Sequence, residues 1–292
     1  MGNIFLAKSA GFCFGVERAV KMVSDQIENR TSLDERIYTY GPIIHNDTVV
    51  SDFEKRGAHV ISEEDMATVE NGTVVIRSHG VTKQTIDDLE ACGHKIVDAT
   101  CPFVKKIHKI VAKYSEDGYK ILIIGNEKHP EVQGIIGWIK PGTEYIVIGN
   151  EEDAESLHFP KGEKVCLVSQ TTFNHNKFQE LVEIINEKGY DMFAMSTICN
   201  ATELRQKEAA EIAAQVDVML VIGDKNSSNS RKLFEICSNK CDNTFFIQTA
   251  DDLDLSVLQS IHNIGITAGA STPQKIIEEV QKKCQQKILN KC

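Results

Sequence analysis

Asp98-Ala99-Thr100-Cys101-Pro102-Phe103-Val104 sets one cysteine where an apolar run stops and a helical pattern begins. Two other stretches repeat the arrangement. Gly11-Phe12-Cys13-Phe14-Gly15 and Ser196-Thr197-Ile198-Cys199-Asn200-Ala201-Thr202 each hold a single cysteine between a short apolar run and an amphipathic helix. The separations, 88 (13 to 101) and 98 (101 to 199), are nearly even along 292 residues and predict a threefold internal repeat.

Working outward, each cysteine leads a helix and is followed by strands that end in polar loops. After Cys13, Val16, Ala19, Val20, Val23 and Ile27 form the i, i+3, i+4, i+7 face of a helix. Ile37 to Tyr40 reads as the next strand, closed by Gly41-Pro42 and followed by Ile43-Ile44-His45-Asn46, where Asn46 or Asp47 can cap a short helix. Thr73 to Ile76 delivers Ser78-His79-Gly80. Beyond Cys101, Pro102 suits the first helical position, and the fully apolar Ile121 to Ile124 predicts a strand covered on both faces. That strand runs into His129-Pro130-Glu131, and Val165 to Val168 runs into Ser169-Gln170-Thr171-Thr172. Beyond Cys199, Val218 to Ile222 feeds Asn226-Ser227-Ser228-Asn229, and Ile264 to Thr267 feeds Gly269-Ala270-Ser271 before a last helix to about Leu289.

Strands alternating with helices predict α/β units with parallel sheets, and in such sheets the loops after the strand C-termini line the binding crevice. Packing of three such units about a pseudo-threefold axis would gather three thiols. Around them would lie His45, His79, His129, Glu131, Thr171, Thr172, Ser227, Ser228, Asn229 and Ser271.

Composition excludes several classes. The balance of 41% hydrophobic and 25% charged residues belongs to a globular chain with length enough for a core. A net charge of −10 argues against a nucleic-acid partner, whose phosphates need basic clusters. No apolar run approaches a bilayer span, and Met1 to Ala10 lacks a signal-peptide pattern. Nine cysteines without such a pattern point to the reducing cytoplasm, where thiols are core filler, nucleophiles or metal ligands.

Three repeated cysteines without a fourth leave one metal position open to substrate, as in a 4Fe-4S cluster with one uncoordinated iron or a catalytic zinc. Cys92, Cys166 and Cys284 read as core filler, Cys237 and Cys241 as a buried i, i+4 helix face, and Cys292 as terminal. The serines, Asn229, Thr171 and the histidines are neutral or switchable donors that, with helix N-termini, suit a small organic phosphate; singly they are also ordinary turn and capping residues. No P-loop or G-x-G-x-x-G is present. Glu131, facing a dry metal site, could donate a proton; as a first-turn helix glutamate it would only serve the macrodipole. His59, His94, His108, His158, His175 and His262 fall outside the repeated loops and read as structural or surface residues.

The set Gly11-Phe12-Cys13, Gly41-Pro42-Ile43-Ile44-His45-Asn46, Arg77-Ser78-His79-Gly80, Asp98-Ala99-Thr100-Cys101-Pro102, His129-Pro130-Glu131, Gln170-Thr171-Thr172, Thr197-Ile198-Cys199-Asn200-Ala201-Thr202, Lys225-Asn226-Ser227-Ser228-Asn229-Ser230 and Ala268-Gly269-Ala270-Ser271 resembles the 4-hydroxy-3-methylbut-2-enyl diphosphate reductase family of the methylerythritol phosphate route to isoprenoids. The resemblance covers nearly the whole chain, in order. It implies a trefoil of three α/β domains, 1–97 joined by the C-terminal segment 270–292, then 98–194 and 195–269. It implies one 4Fe-4S cluster on Cys13, Cys101 and Cys199, with the substrate hydroxyl at the open iron. It further implies an allylic diphosphate held by His45, His79, His129, Thr171, Thr172, Ser227, Ser228, Asn229 and Ser271, and proton delivery by Glu131 with Thr171 and His129. Electrons would come singly from ferredoxin or flavodoxin. A redox-neutral iron-sulfur hydro-lyase and a metal-binding sensor without turnover are the alternatives, separated by the need for reductant.

Overall fold

The computed structural model describes residues 2–32, 34–258 and 261–289, so the terminal Cys292 lies outside the described residues. Two bodies are distinguished by contact density: Met1–Glu17, His45–Val49 and Asn200–Cys292, and Arg18–Ile44 with Val50–Cys199.

The second body contains two sheets. One is formed by β2 (Ile37–Tyr40), β3 (Ala58–Ile61), β4 (Thr73–Ile76) and β5 (Lys95–Asp98) in the order β3-β2-β4-β5, with every pair parallel. The other is formed by β6 (Lys120–Ile124), β7 (Tyr145–Ile148), β8 (Lys164–Ser169) and β9 (Asp191–Ala194) in the order β7-β6-β8-β9, again all parallel. In the first body β10 (Val218–Ile222), β11 (Thr244–Ile247) and β12 (Asn263–Ala268) join β1 (Asn3–Leu6) in the parallel order β1-β12-β10-β11.

The three orders are one topology. Numbering the strands within each set, all run second, first, third, fourth once β1 is taken as the fourth strand of the last set. The predicted α/β class with parallel sheets is therefore met, and the repeat is cyclically permuted in the chain. Sheet membership departs from the boundaries expected at the chain ends. Asn3–Leu6 pairs with 263–266, and the Asn3 side-chain amide donates to Asn263 Oδ1 at 3.1 Å, so β1 satisfies the open edge of β12 and does not join the 37–98 strands. The C-terminal helix α10 (Gln274–Leu289) covers this same sheet through Ile276, Ile277, Val280 and Cys284.

Helices bury both faces of the strands, which is why β6 and β10 are apolar at every position facing the core. In β6, Leu122 and Ile124 meet Phe178, Leu181 and Ile185 of α7 (His175–Asn186). Ile121 and Ile123 meet Ile107, Ile110 and Val111 of α4 (Pro102–Glu116) and Val132 and Ile135 of α5 (Pro130–Ile136). In β10, Met219 and Val221 pack with Ala209 and Ile212 of α8 (Asn200–Ala213) and with Leu233 and Cys237 of α9 (Ser228–Ser238), while Leu220 and Ile222 face α10. Tyr38, Tyr40, Val74 and Ile76 enclose Leu89 of α3 (Lys83–Ala91). Among the described residues no helix is long and apolar enough to cross a membrane.

Candidate active site

Each of the three cysteines occupies the same station in its repeat. The Cys101 N–H donates to Ser78 O at 2.9 Å, the Cys199 N–H to Thr171 O at 3.0 Å, and the Cys13 N–H to Ala270 O at 3.2 Å. Ser78, Thr171 and Ala270 each lie two residues past the end of the third strand of their set, β4, β8 and β12. Each cysteine also immediately precedes a helix, α4, α8 and α1 (Phe14–Glu28). The Cys101 side chain makes no capping hydrogen bond, and all three cysteines are half-buried, outside disulfides. A helix N-terminus favours an anionic group beside it, which suits thiolate ligation.

Of the remaining thiols, Cys92, expected as core filler, is the half-buried C-cap of α3, while Cys166, Cys237, Cys241 and Cys284 are buried. Burial pushes Cys166 and Cys237 up to about 12 and Cys284 up to about 11, so they stay protonated and serve as core, as expected. Helix α9 ends at Ser238, so Cys241 lies beyond it and the two thiols do not form the expected i, i+4 helix face; Cys241 packs in the same cluster as Cys237, its sulfur against Val216 O and that of Cys237 against Ala209 O.

In the second body a chain of contacts links the expected catalytic residues. His129 caps α5, its Nδ1 accepting the Glu131 N–H at 3.1 Å, which leaves the ring proton on Nε2 as a donor. The rings of His79 and His129 meet edge to face at 5.4 Å. Glu131 is 2% exposed; its Oε1 accepts the Thr171 N–H at 2.6 Å and its Oε2 the Thr171 hydroxyl at 2.7 Å. Burial lifts its pKa to about 7, against the lowering effect of both Thr171 hydrogen bonds. Glu131 is thus a first-turn helix glutamate whose carboxyl burial holds above its ordinary range. The Thr171 carbonyl in turn accepts from Cys199.

Gln170 is a positioning residue that the sequence reading did not single out. Its Oε1 accepts the Asn126 N–H at 3.2 Å and its Nε2 donates to Thr172 Oγ1 at 3.0 Å, tying the loop after β6 to the loop after β8. Polarity alone gave no signal for it, because its partners are 44 and 2 residues away.

The loop carrying His79 is fixed from several sides. Ser78 N–H and Oγ–H both donate to Ile43 O at 3.2 Å, and the Trp138 indole donates to Val81 O at 2.9 Å. His108 stacks on Trp138 at 5.1 Å, and burial pushes its pKa down to about 4, so it is a neutral packing residue as expected. Gly80 has φ +73°, and a Cβ there would meet His108 Cε1 at 2.8 Å. Gly80→Ala is accordingly expected to cost about 1–2 kcal/mol from the backbone alone, with the clash added, read as a lowered urea midpoint.

In the first body, Ser227 caps α9 and its Oγ accepts from the Ser230 N–H at 3.3 Å and the Ser230 hydroxyl at 3.0 Å, leaving its own O–H as a donor. Ser271 Oγ lies 3.5 Å from Ser227 Oγ. Asn229 is 4% exposed, and neither its Oδ1 nor its Nδ2 has a partner among the described residues. A buried, unsatisfied amide is costly, so its donor and acceptor capacity is left open. Ser228 is the first residue of α9. His45, half-buried, precedes Asn46, whose Oδ1 accepts the Val49 N–H at 3.2 Å to start α2 (Asp47–Lys55).

Comparison with known proteins decides the kinship: the family model described as LytB protein matches residues 4–285. The chain belongs to the LytB family. Curated relatives of this LytB chain include the 4-hydroxy-3-methylbut-2-enyl diphosphate reductases of Caldanaerobacter subterraneus subsp. tengcongensis, 44% identical over 96% of both chains, and of Clostridioides difficile, 46% identical over 95% of this chain and 97% of that one. Among solved structures, (E)-4-hydroxy-3-methyl-but-2-enyl diphosphate reductase, the terminal enzyme of the non-mevalonate pathway, is 38% identical with a TM-score of 0.70, covering 98% of this chain and 100% of that one. The E-1-hydroxy-2-methyl-but-2-enyl-4-diphosphate reductase of Plasmodium falciparum is 30% identical with a TM-score of 0.89, covering 96% and 87%. Membership in LytB implies an iron-sulfur cluster, and the three equivalent cysteine stations are a donor set that fits one.

Proposed function

We infer that this chain reductively removes the hydroxyl of (E)-4-hydroxy-3-methylbut-2-enyl diphosphate. Two electrons and two protons enter, the C–O bond breaks, water leaves, and isopentenyl and dimethylallyl diphosphates form. Cys13, Cys101 and Cys199 hold one 4Fe-4S cluster. When bound with three cysteine ligands, such a cluster supplies electrons and an open iron for the substrate hydroxyl. Ferredoxin or flavodoxin is the electron source, in a reducing cytoplasm.

The observation that supports this reading is the run from His79 through His129, Glu131 and Thr171 to the backbone of Cys199, in which the buried Glu131 carboxyl is one residue contact from a proposed cluster ligand. Glu131 holds the proton at its carboxyl, poised by burial near neutral pH. Thr171 fixes that carboxyl through its N–H and its hydroxyl, so the proton donor does not need to reorganise. The His129 Nε2–H and the Ser227 O–H donate to the diphosphate, as does the Asn229 amide. His45, His79, Thr172, Ser228 and Ser271 complete the polar lining.

Anaerobic protein supplied with reduced methyl viologen and the allylic diphosphate is expected to consume two electrons per molecule of isopentenyl or dimethylallyl product. Turnover without reductant would instead identify a redox-neutral hydro-lyase. Absence of turnover in cluster-loaded protein would identify a sensor.

A further inference from the structure

Helix α4 starts one residue after Cys101 and buries Val104, Ile107, His108, Ile110 and Val111. Its opposite side exposes Phe103, Lys106, Lys109 and Lys113, at steps of three, three and four, which is a single helical stripe. Phe103 is 43% exposed. The helix contains four lysines and no acidic residue before Glu116, although the chain as a whole carries a net charge of −10. Lys105 is engaged by Asp98 at 2.6 Å, whereas among the described residues no carboxylate pairs with Lys106 or Lys109. An unneutralised basic stripe in an acidic protein is a local field that selects an acidic partner.

A second observation concerns apolar exposure. The large hydrophobic side chains exposed among the described residues are Phe14, Phe103, Tyr145, Phe193 and Leu204. Phe14, Phe103 and Leu204 fall within the first five residues of α1, α4 and α8, the helices that follow Cys13, Cys101 and Cys199. Exposed apolar side chains thus recur at the cysteine-led helix starts. Only α4 pairs that apolar contact with a run of lysines.

We propose that the face of α4 formed by Phe103, Lys106, Lys109 and Lys113 docks a small acidic one-electron carrier protein beside Cys101. This rests on the reductive function inferred above, which needs electrons one at a time from outside the chain. Phe103 supplies the desolvated contact and the lysines steer the approach, the arrangement expected for a brief, salt-sensitive encounter. The carrier passes one electron per encounter toward the cluster and leaves oxidised; two encounters supply one turnover.

The test uses cluster-loaded protein and an acidic ferredoxin, with binding read by calorimetry and turnover read with either ferredoxin or reduced methyl viologen. Lys106→Glu/Lys109→Glu is expected to weaken ferredoxin binding at least tenfold, to flatten its salt dependence and to lower kcat/KM for ferredoxin to a similar degree, with viologen-driven turnover unchanged. Phe103→Ala weakens binding at low and high salt alike, and Lys106→Gln/Lys109→Gln gives an intermediate loss. Unaltered ferredoxin affinity in the charge-reversed variant, or an equal loss with both reductants, would overturn the proposal. Wild-type protein that fails with viologen sinks the reductase reading instead, while the calorimetry still decides the docking face.

Discussion

Glu131→Gln is expected to lower turnover by about 10²–10⁴-fold, the usual contribution of a positioned general acid, while cluster content and substrate affinity stay near wild type. The argument starts from size and hydrogen bonding. Glutamine keeps the shape of the buried side chain, and its carbonyl oxygen can still accept the Thr171 N–H now held at 2.6 Å. The Thr171 hydroxyl can rotate to accept from the new amide, so the packing around this 2% exposed position survives. Only the transferable proton is lost. The pH profile supplies a second readout. Burial raises the Glu131 pKa to about 7, so the carboxyl is mostly protonated below pH 7 and ionises above it. Wild-type kcat should therefore hold at lower pH and fall as pH rises through about 7, whereas the residual rate of Glu131→Gln should lack that limb. Anaerobic kinetics with reduced viologen across pH measures both. A variant with wild-type kcat would remove Glu131 from proton delivery.

Much of this site was legible along the chain because its parts are local. A strand end, a cysteine and a helix start occupy a few consecutive residues, so Cys13, Cys101 and Cys199 announce their equivalence by pattern and spacing. The apolar runs of β6 and β10 report burial on both faces in the same direct way. What could not be read is pairing across long separations. The attachment of β1 to β12 joins residues 260 positions apart, and an edge strand carries no mark naming the edge it will satisfy. The same limit hid Gln170, whose side chain bonds Asn126 and Thr172 across two loops, and the stack of His108 on Trp138 beside Gly80. Glu131 lay between these cases: its place after His129-Pro130 allowed two readings, and its burial, which raises the pKa to about 7 against the two Thr171 hydrogen bonds, comes from packing that no local pattern announces.

Cys101→Ser should separate ligation from folding. The backbone of residue 101 contributes to structure through its N–H, bonded to Ser78 O at 2.9 Å, and through its carbonyl, which accepts the Lys105 N–H at 3.0 Å; serine preserves both. The cysteine side chain makes no capping bond to α4, so the sulfur can be replaced without unfastening the helix. Serine, if anything, is a better N-cap than cysteine. The thermal midpoint of the metal-free protein is therefore expected to stay level or rise slightly. Metal content should respond in the opposite way, because a serine hydroxyl is a poor substitute for thiolate toward iron. Wild-type protein purified without oxygen is expected to carry about four irons and four acid-labile sulfides per chain, and Cys101→Ser to lose or degrade that complement. Cys237→Ser is the matched control, since its thiol, pushed up to about 12 by burial, belongs to the core around α9 and not to the repeated station. It should lose stability and keep iron and sulfide. Zinc without sulfide in the wild type, or iron indifferent to Cys101, would show that three equivalent backbone stations do not make three equivalent ligands, and the reductive chemistry assigned to this chain would have to be abandoned with them.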